Sequence, residues 1–304
     1  MKPLEQGQLA PSIMLVASAA FWGLFWIPIR AFEDAGLGAA WAGVGQFLTP
    51  MLVMAPMAVW LALRGRPTGL AQWKTALFTG GAFALYADSL LLTEVARSII
   101  LFYFSPTFAT VLEVTIMKRR LTAARVLAIV VGFCGIYVLL GGDGSLPVPR
   151  NVGDWMALTA GIFWAYGSTR VRMAPDVTLF ENVFFFFTMA AVVGLAVAML
   201  PFEELGQPPT LDETISFLPW LLLIAVVFLI PVMCMQLYSV KLVDPARVSI
   251  LFQSEVIFGL ASAAALAAEP FGWKESVGAA LVIAASLTEV VFNRPGAAQT
   301  PAEP

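Results

Sequence analysis

The hydrophobic residues of this chain come in long unbroken blocks, not in the alternation of a strand or the one-sided stripe of a surface helix. Ten such blocks stand between charged or Pro/Gly-rich breaks, near residues 11–31, 39–63, 73–95, 97–117, 121–140, 153–172, 178–201, 216–240, 246–268 and 273–292. A helix of about 20 residues crosses the hydrocarbon core of a bilayer, so the pattern predicts an all-α polytopic membrane protein with ten transmembrane helices. The third and fourth blocks are parted only by the short polar break TEVARS. The first block is too long and too rich in tryptophan for the apolar core of a signal peptide and is expected to be retained. The Pro-, Ala- and polar-rich tail 293–304 is expected to be disordered.

Composition points the same way. Of the 304 residues, 60% are hydrophobic and 12% charged, and mean hydropathy is +0.85. A soluble domain carries about 25% charged residues; this chain could not cover a surface in water. Its basic residues are unevenly spread. With the N-terminus inside, thirteen of the 17 Lys and Arg fall on the cytoplasmic face, and Arg30, Arg97, Arg150 and Lys274 on the other. The positive-inside rule then places both termini in the cytoplasm. The same rule accounts for the basic run KRRLTAAR from Lys118, and no nucleic acid is needed to explain it. Histidine is absent, which removes the commonest metal ligand and the side chain that titrates nearest neutrality, so any proton coupling falls to carboxylates. Cys134 and Cys234 stand alone in apolar runs and read as packing residues. GGDGS at 141 lacks the Lys-Ser/Thr ending of a phosphate loop and reads as a connector. No cofactor is expected.

The two halves repeat. ARSIILFYFSPTF from Ala96 aligns with ARVSILFQSEVIF from Ala246, and AAFWGLFW near Trp22 resembles AGIFWAYG near Trp164. The first register also carries Ala128 and Gly135 onto Gly278 and Ala285, small residues that let helices approach closely. First span matches sixth and fourth matches ninth, giving two five-span repeats, 1–142 and 143–304. An odd number of spans sends the second copy into the membrane from the opposite side. Inverted repeats of this kind are the architecture of many secondary transporters, which hold substrate near the midplane where the halves meet.

The AAFWG opening, FSPTF in the fourth span, RRLT followed by small residues, and ten spans arranged five plus five resemble the EamA-type drug/metabolite transporter (DMT) superfamily over residues 11–292. Within it the chain is most similar to exporters of aromatic and other neutral amino acids. The resemblance implies export of small neutral metabolites, amino acids foremost. Two positions depart from the family pattern: Arg119 stands where a glutamate is common after the fourth span, and Val256 follows Glu255 where proline is common.

Gln253, Ser254 and Glu255 form the most polar cluster deep in any span. A carboxylate at the bilayer centre costs on the order of 2.5 kcal/mol or more, and such residues usually mark a pathway; packing glue between helices is the plain alternative. Ser249 shares a helical face with Gln253. Trp22, Trp26, Trp164 and Tyr166 lie inside spans one and six, away from the interfaces where Trp and Tyr usually anchor. Trp22 and Trp26 share a face. These rings read either as core bulk or as the apolar wall of a site for a neutral side chain. In ALYADSLLL of span three, Tyr86 and Ser89 share a face, and Asp88 is placed to pair with a substrate amine or to lie near the outer mouth. Tyr103 and Ser105 are the repeat counterparts of Gln253 and Glu255. Pro106 is expected to kink span four and free a backbone carbonyl for an ammonium group. The predicted substrate-binding set is thus Trp22, Trp26, Tyr86, Ser89, Tyr103, Trp164, Tyr166, Ser249 and Gln253, with Glu255 and Asp88 as candidates for proton or charge coupling.

The function that follows is export by alternating access through a cavity lined by spans 1, 3, 4, 6, 8 and 9, by a monomer in a bacterial inner membrane. Drugs, nucleobases or sugar derivatives are the alternative cargo. The spans hold no cationic pair of the kind that phosphorylated cargo would need. A membrane-embedded enzyme would need a Ser/His, paired-Asp or metal constellation, hard to assemble without histidine and with scattered acids, and a retinal receptor would need an intramembrane lysine, whereas all five lysines fall in loops or at span ends.

Overall fold

The structure, a computed structural model, describes residues 9–64, 70–115, 122–140, 148–173, 177–243, 248, 250–267 and 271–292. Ser249, Arg119, Arg247, GGDGS and the tail from Asn293 lie outside the described residues.

Every span expected from the hydrophobic pattern is helical. The first comprises α1 (Leu9–Gly23) and α2 (Trp26–Asp34); α3 (Ala39–Leu63) and α4 (Leu70–Leu92) are the second and third. The fourth comprises α5 (Val95–Phe102) and α6 (Ser105–Thr115), followed by α7 (Ala123–Leu140), α8 (Val152–Met173) and α9 (Leu179–Ala198). The eighth comprises α10 (Leu211–Ile224) and α11 (Ile230–Leu242), the ninth is chiefly α12 (Gln253–Leu266), and α13 (Trp273–Phe292) is the tenth. Five stretches, Leu9–Asp34, Ala39–Leu63, Gln72–Leu92, Leu179–Ala198 and Leu211–Leu242, are by length and composition alone long and apolar enough to cross a membrane.

Local sequence explains several boundaries. Thr178 with Glu181, and Thr210 with Glu213, form reciprocal capping boxes that satisfy the first N–H groups of α9 and α10. TEVARS works as a corner: α4 stops at Leu92, and the extended backbone of Glu94 starts α5 one residue later. Pro231, at the second position of α11, has no N–H for the carbonyl four residues back, and just ahead of it the helix widens to a π turn over Ala225–Leu229.

Packing is largely between the halves. α4 lies against α8 and α9, α1 against α11 and α12, and α7 pairs with α13. The α7–α13 crossing runs through Gly135 and Gly278: a Cβ on Gly135 would lie 3.1 Å from the Gly278 carbonyl oxygen. Span three is the most enclosed of the five apolar stretches, 78% buried in its central window against 28% for Ala39–Leu63 and Leu211–Leu242. Rows of exposed apolar residues on those two, including Leu52, Trp60, Trp220 and Val227, face outward as lipid contacts would. The four basic residues set apart by the charge count cluster at one end of the bundle. Arg97, Arg150 and Lys274 line one cavity there, and Arg30 donates to the carbonyls of Leu90 and Thr93 at the end of α4, where a helix favours a cation.

Candidate functional site between the two repeats

Three spans are interrupted near their middles, and the interruptions meet. Span one turns at Leu24–Phe25, span four at Tyr103–Phe104 and span nine at Phe252. The last two are repeat counterparts, Phe102 falling on Phe252 in the sequence alignment. Pro106 explains the fourth-span break in part, since it offers no N–H to the Phe102 carbonyl. That carbonyl does not open onto a cavity as the sequence suggested: a Cβ on Gly161 would lie 2.9 Å from it, so it faces the backbone of α8. Spans one and nine also cross backbone to backbone. A Cβ on Gly23 would collide with the Glu255 carbonyl oxygen and lie 2.8 Å from Gly259 N.

At the meeting point Tyr103 Oη donates to Glu255 Oε2 at 2.6 Å and lies 3.3 Å from the Phe252 carbonyl oxygen. The bond joins the two repeats through the positions where their sequences diverge. Glu255 is only 3% exposed, and its other oxygen, Oε1, has no hydrogen-bond partner among the described residues. Gln253, at the start of α12, is buried beside this turn.

Aromatic rings extend from Tyr103 into the interior. Tyr103 packs edge-on to Phe102, and Phe102 stacks on Tyr86 with ring centres 4.4 Å apart. Phe83, 1% exposed, is the hub: its ring centre lies within 6.2 Å of those of Trp22, Tyr86, Phe102, Trp164 and Phe186. Such edge-to-face pairs give a wall that is apolar but electrostatically patterned. The Trp22 indole N–H is buried in this group without an acceptor among the described residues.

Of the predicted site residues, the structure therefore brings Trp22, Tyr86, Tyr103, Trp164 and Glu255 together. Others have separate work. Trp26 Nε1 donates to Ser262 Oγ at 3.0 Å, tying span one to span nine, and its ring lies under the Arg30 guanidinium. Trp22 and Trp26 would share a face of a continuous helix, but the turn at Leu24–Phe25 stands between them. Tyr166 packs on Phe78, 4.5 Å between ring centres, and its hydroxyl accepts from Arg170. Ser89 donates to the Tyr86 carbonyl and shares a hydrogen bond with Ser98 of span four. Asp88 is 1% exposed beside Gly43, and its Oδ2 has no partner among the described residues.

Sequence reasoning missed Phe83 and Phe102, and it missed a buried ion pair. Arg97 at the start of span four forks onto Asp154 at the start of span six, with Nε to Oδ1 and Nη2 to Oδ2 both 2.8 Å. Beside it lies a cavity of about 360 Å³ lined by residues including Glu94, Arg150, Asn151, Lys274 and Glu275. The usable signal was two opposite charges just inside apolar blocks at the same end of the bundle. Among the described residues, no group of three or more acidic or cysteine side chains could hold a metal ion.

The arrangement suits passage better than bond-making. It offers an adaptable aromatic wall, a carboxyl group with one oxygen available to a proton or a cationic donor, and broken helices whose half-turns can adjust. No functionally curated protein matches the chain. A protein of known crystal structure covers 96% of this chain and is itself covered in full, with a TM-score of 0.58 and 17% identity, a likeness that speaks for the fold alone. The sequence profile described as the EamA-like transporter family matches twice, over residues 10–141 and 151–288, one match for each half. With both repeats accounted for in this way, the chain is a member of the EamA-like transporter family, within the DMT superfamily.

Proposed function

We propose that this transporter exports small neutral metabolites, amino acids foremost, by alternating access. It works as a monomer in a bacterial inner membrane, with both termini cytoplasmic. Trp22, Tyr86, Tyr103, Trp164 and Gln253 bound the substrate, and Glu255 exchanges a proton or meets the substrate's ammonium group. The observation that carries this reading is the Tyr103–Glu255 bond, which links the repeats at their breaks and leaves one carboxyl oxygen without a partner among the described residues. An ionisable group placed there by the fold is costly unless it is used. The aromatic wall favours a neutral, preferably aromatic, side chain, and no cationic pair is present in it for a phosphorylated one. Asp88 is the second carboxyl group available for coupling.

The test is flux of radiolabelled phenylalanine and leucine from proteoliposomes containing the purified chain, with and without an imposed pH gradient. Saturable flux accelerated by the gradient is the expected result. Absence of saturable flux for both amino acids overturns the substrate assignment, and gradient-independent flux overturns the coupling role.

A further inference from the structure

We propose that Arg97 and Asp154 form the latch that closes one end of the transport path, and that parting them admits solvent to the aromatic site. The inference rests on alternating access between the repeats, but not on the identity of the substrate.

The two residues belong to different halves and sit at a boundary. On one side of them is the cavity of about 360 Å³, of which Arg97 is itself a wall. On the other, one residue along, Ser98 is fully buried and bonded to Ser89; Leu101 and Phe102 follow, and Phe102 joins the aromatic cluster. The pair therefore stands between a cavity that water can fill and the candidate substrate site.

Its bonding is unusually complete. Asp154, 0% exposed, accepts both prongs of the Arg97 fork, a bond from Thr93 Oγ1 at 2.9 Å and one from the Arg150 backbone N–H at 2.8 Å. Its own N–H donates to Asn151 Oδ1 at 2.8 Å, and Asn151 Nδ2 donates back to Thr93 Oγ1 at 3.2 Å. The network stitches the end of span three and the start of span four, both in the first repeat, to the start of span six in the second. A closed ring of this kind is a two-state element: its charge-assisted bonds depend on one geometry, and partial separation would strand a charge. The cavity wall supplies the other state. Glu94, Arg150, Lys274 and Glu275 line that cavity, so parted partners would enter a charged, water-accessible space instead of hydrocarbon.

The experiment uses the full chain in detergent, which makes the result independent of membrane orientation. The native cysteines are removed (C134A, C234A), and S98C places a small thiol just behind the latch. The labelling rate of this thiol by a charged maleimide is expected to be low with the pair intact. It should rise about tenfold or more in R97Q and D154N. Thermal unfolding of the same samples identifies any variant that has not folded. For that case R97K, which keeps the charge but loses the fork, is expected to show a smaller rise. Labelling that stays at the parent rate in folded R97Q, D154N and R97K overturns the latch. Because labelling requires no transport, its failure is distinct from a failure of the amino-acid assignment.

Discussion

Two carboxyl groups are buried between the halves of this protein, and they are treated in opposite ways. Asp154 receives four hydrogen bonds, two of them from a guanidinium. Glu255 receives one short bond from Tyr103, and its second oxygen has no partner among the described residues. A buried charge is tolerated when its lone pairs are filled and a counter-charge is at hand. By that measure Asp154 is a closed account, while Glu255 keeps its chemistry open. The contrast separates a group whose lone pairs are all engaged while the repeats are closed on each other from one that holds an oxygen in reserve.

The sharpest way to break the comparison is to truncate each acid. Asp154→Ala leaves the Arg97 guanidinium enclosed without its counter-charge and is expected to destabilise the fold by about 3–5 kcal/mol, read as a large drop in unfolding temperature in detergent. Glu255→Gln replaces the titratable carboxyl with an amide and keeps an oxygen for Tyr103. It should cost less than about 1 kcal/mol in stability, yet lower gradient-driven flux by about tenfold or more and flatten its dependence on pH. Similar stability losses in both variants would erase the distinction. A milder probe is Tyr103→Phe, which keeps the ring on Phe102 and deletes only the hydroxyl. Losing a hydrogen bond to an ionisable group costs about 1.5–3 kcal/mol where the charged form is the one bonded, and a several-fold fall in flux is expected, measured beside Glu255→Gln. The smallest effect belongs to Trp26→Phe. It loses the bond to Ser262 and should lower stability by about 1 kcal/mol while flux stays near the parent value; a large flux defect would return Trp26 to the substrate wall.

Much of the architecture was legible because a bilayer leaves few choices: blocks of about 20 apolar residues had to be helices, and the repeat implied that the halves would meet across an interface. The interruptions were only partly legible. Pro106 marks the break in span four, and Pro28, with no N–H for the Leu24 carbonyl, marks that in span one, whereas Val256 holds the matching place after Phe252. Near Phe252 the backbones of spans one and nine come into direct contact, a tertiary cause without local spelling. The nearness of Trp22, Tyr103 and Trp164 could be anticipated from the repeat. The hub could not, since Phe83 is one of 23 phenylalanines and nothing in its neighbours distinguishes it. Trp26 and Tyr166 share residue type and span with ring-cluster members, but the turn in span one and the position of Tyr166 beside Phe78 and Arg170 give them other partners. Arg97 was read as an end-of-span charge because its partner lies 57 positions away, beyond any window of local spacing.

The glycine contact between spans one and nine has a mechanical consequence. Helices that interlock through branched side chains are held at one crossing angle by ridges seated in grooves. Gly23 and Gly259 present no ridge to each other, so there the two helices meet like smooth rods and can roll through a small angle without lifting apart. The contact adjoins Trp22 and lies against the Glu255 carbonyl. A tilt of one half against the other, pivoting on this bearing, would reach the aromatic wall and the carboxyl group with almost no lever arm between them, so that small rotations of the repeats would be felt first at the site.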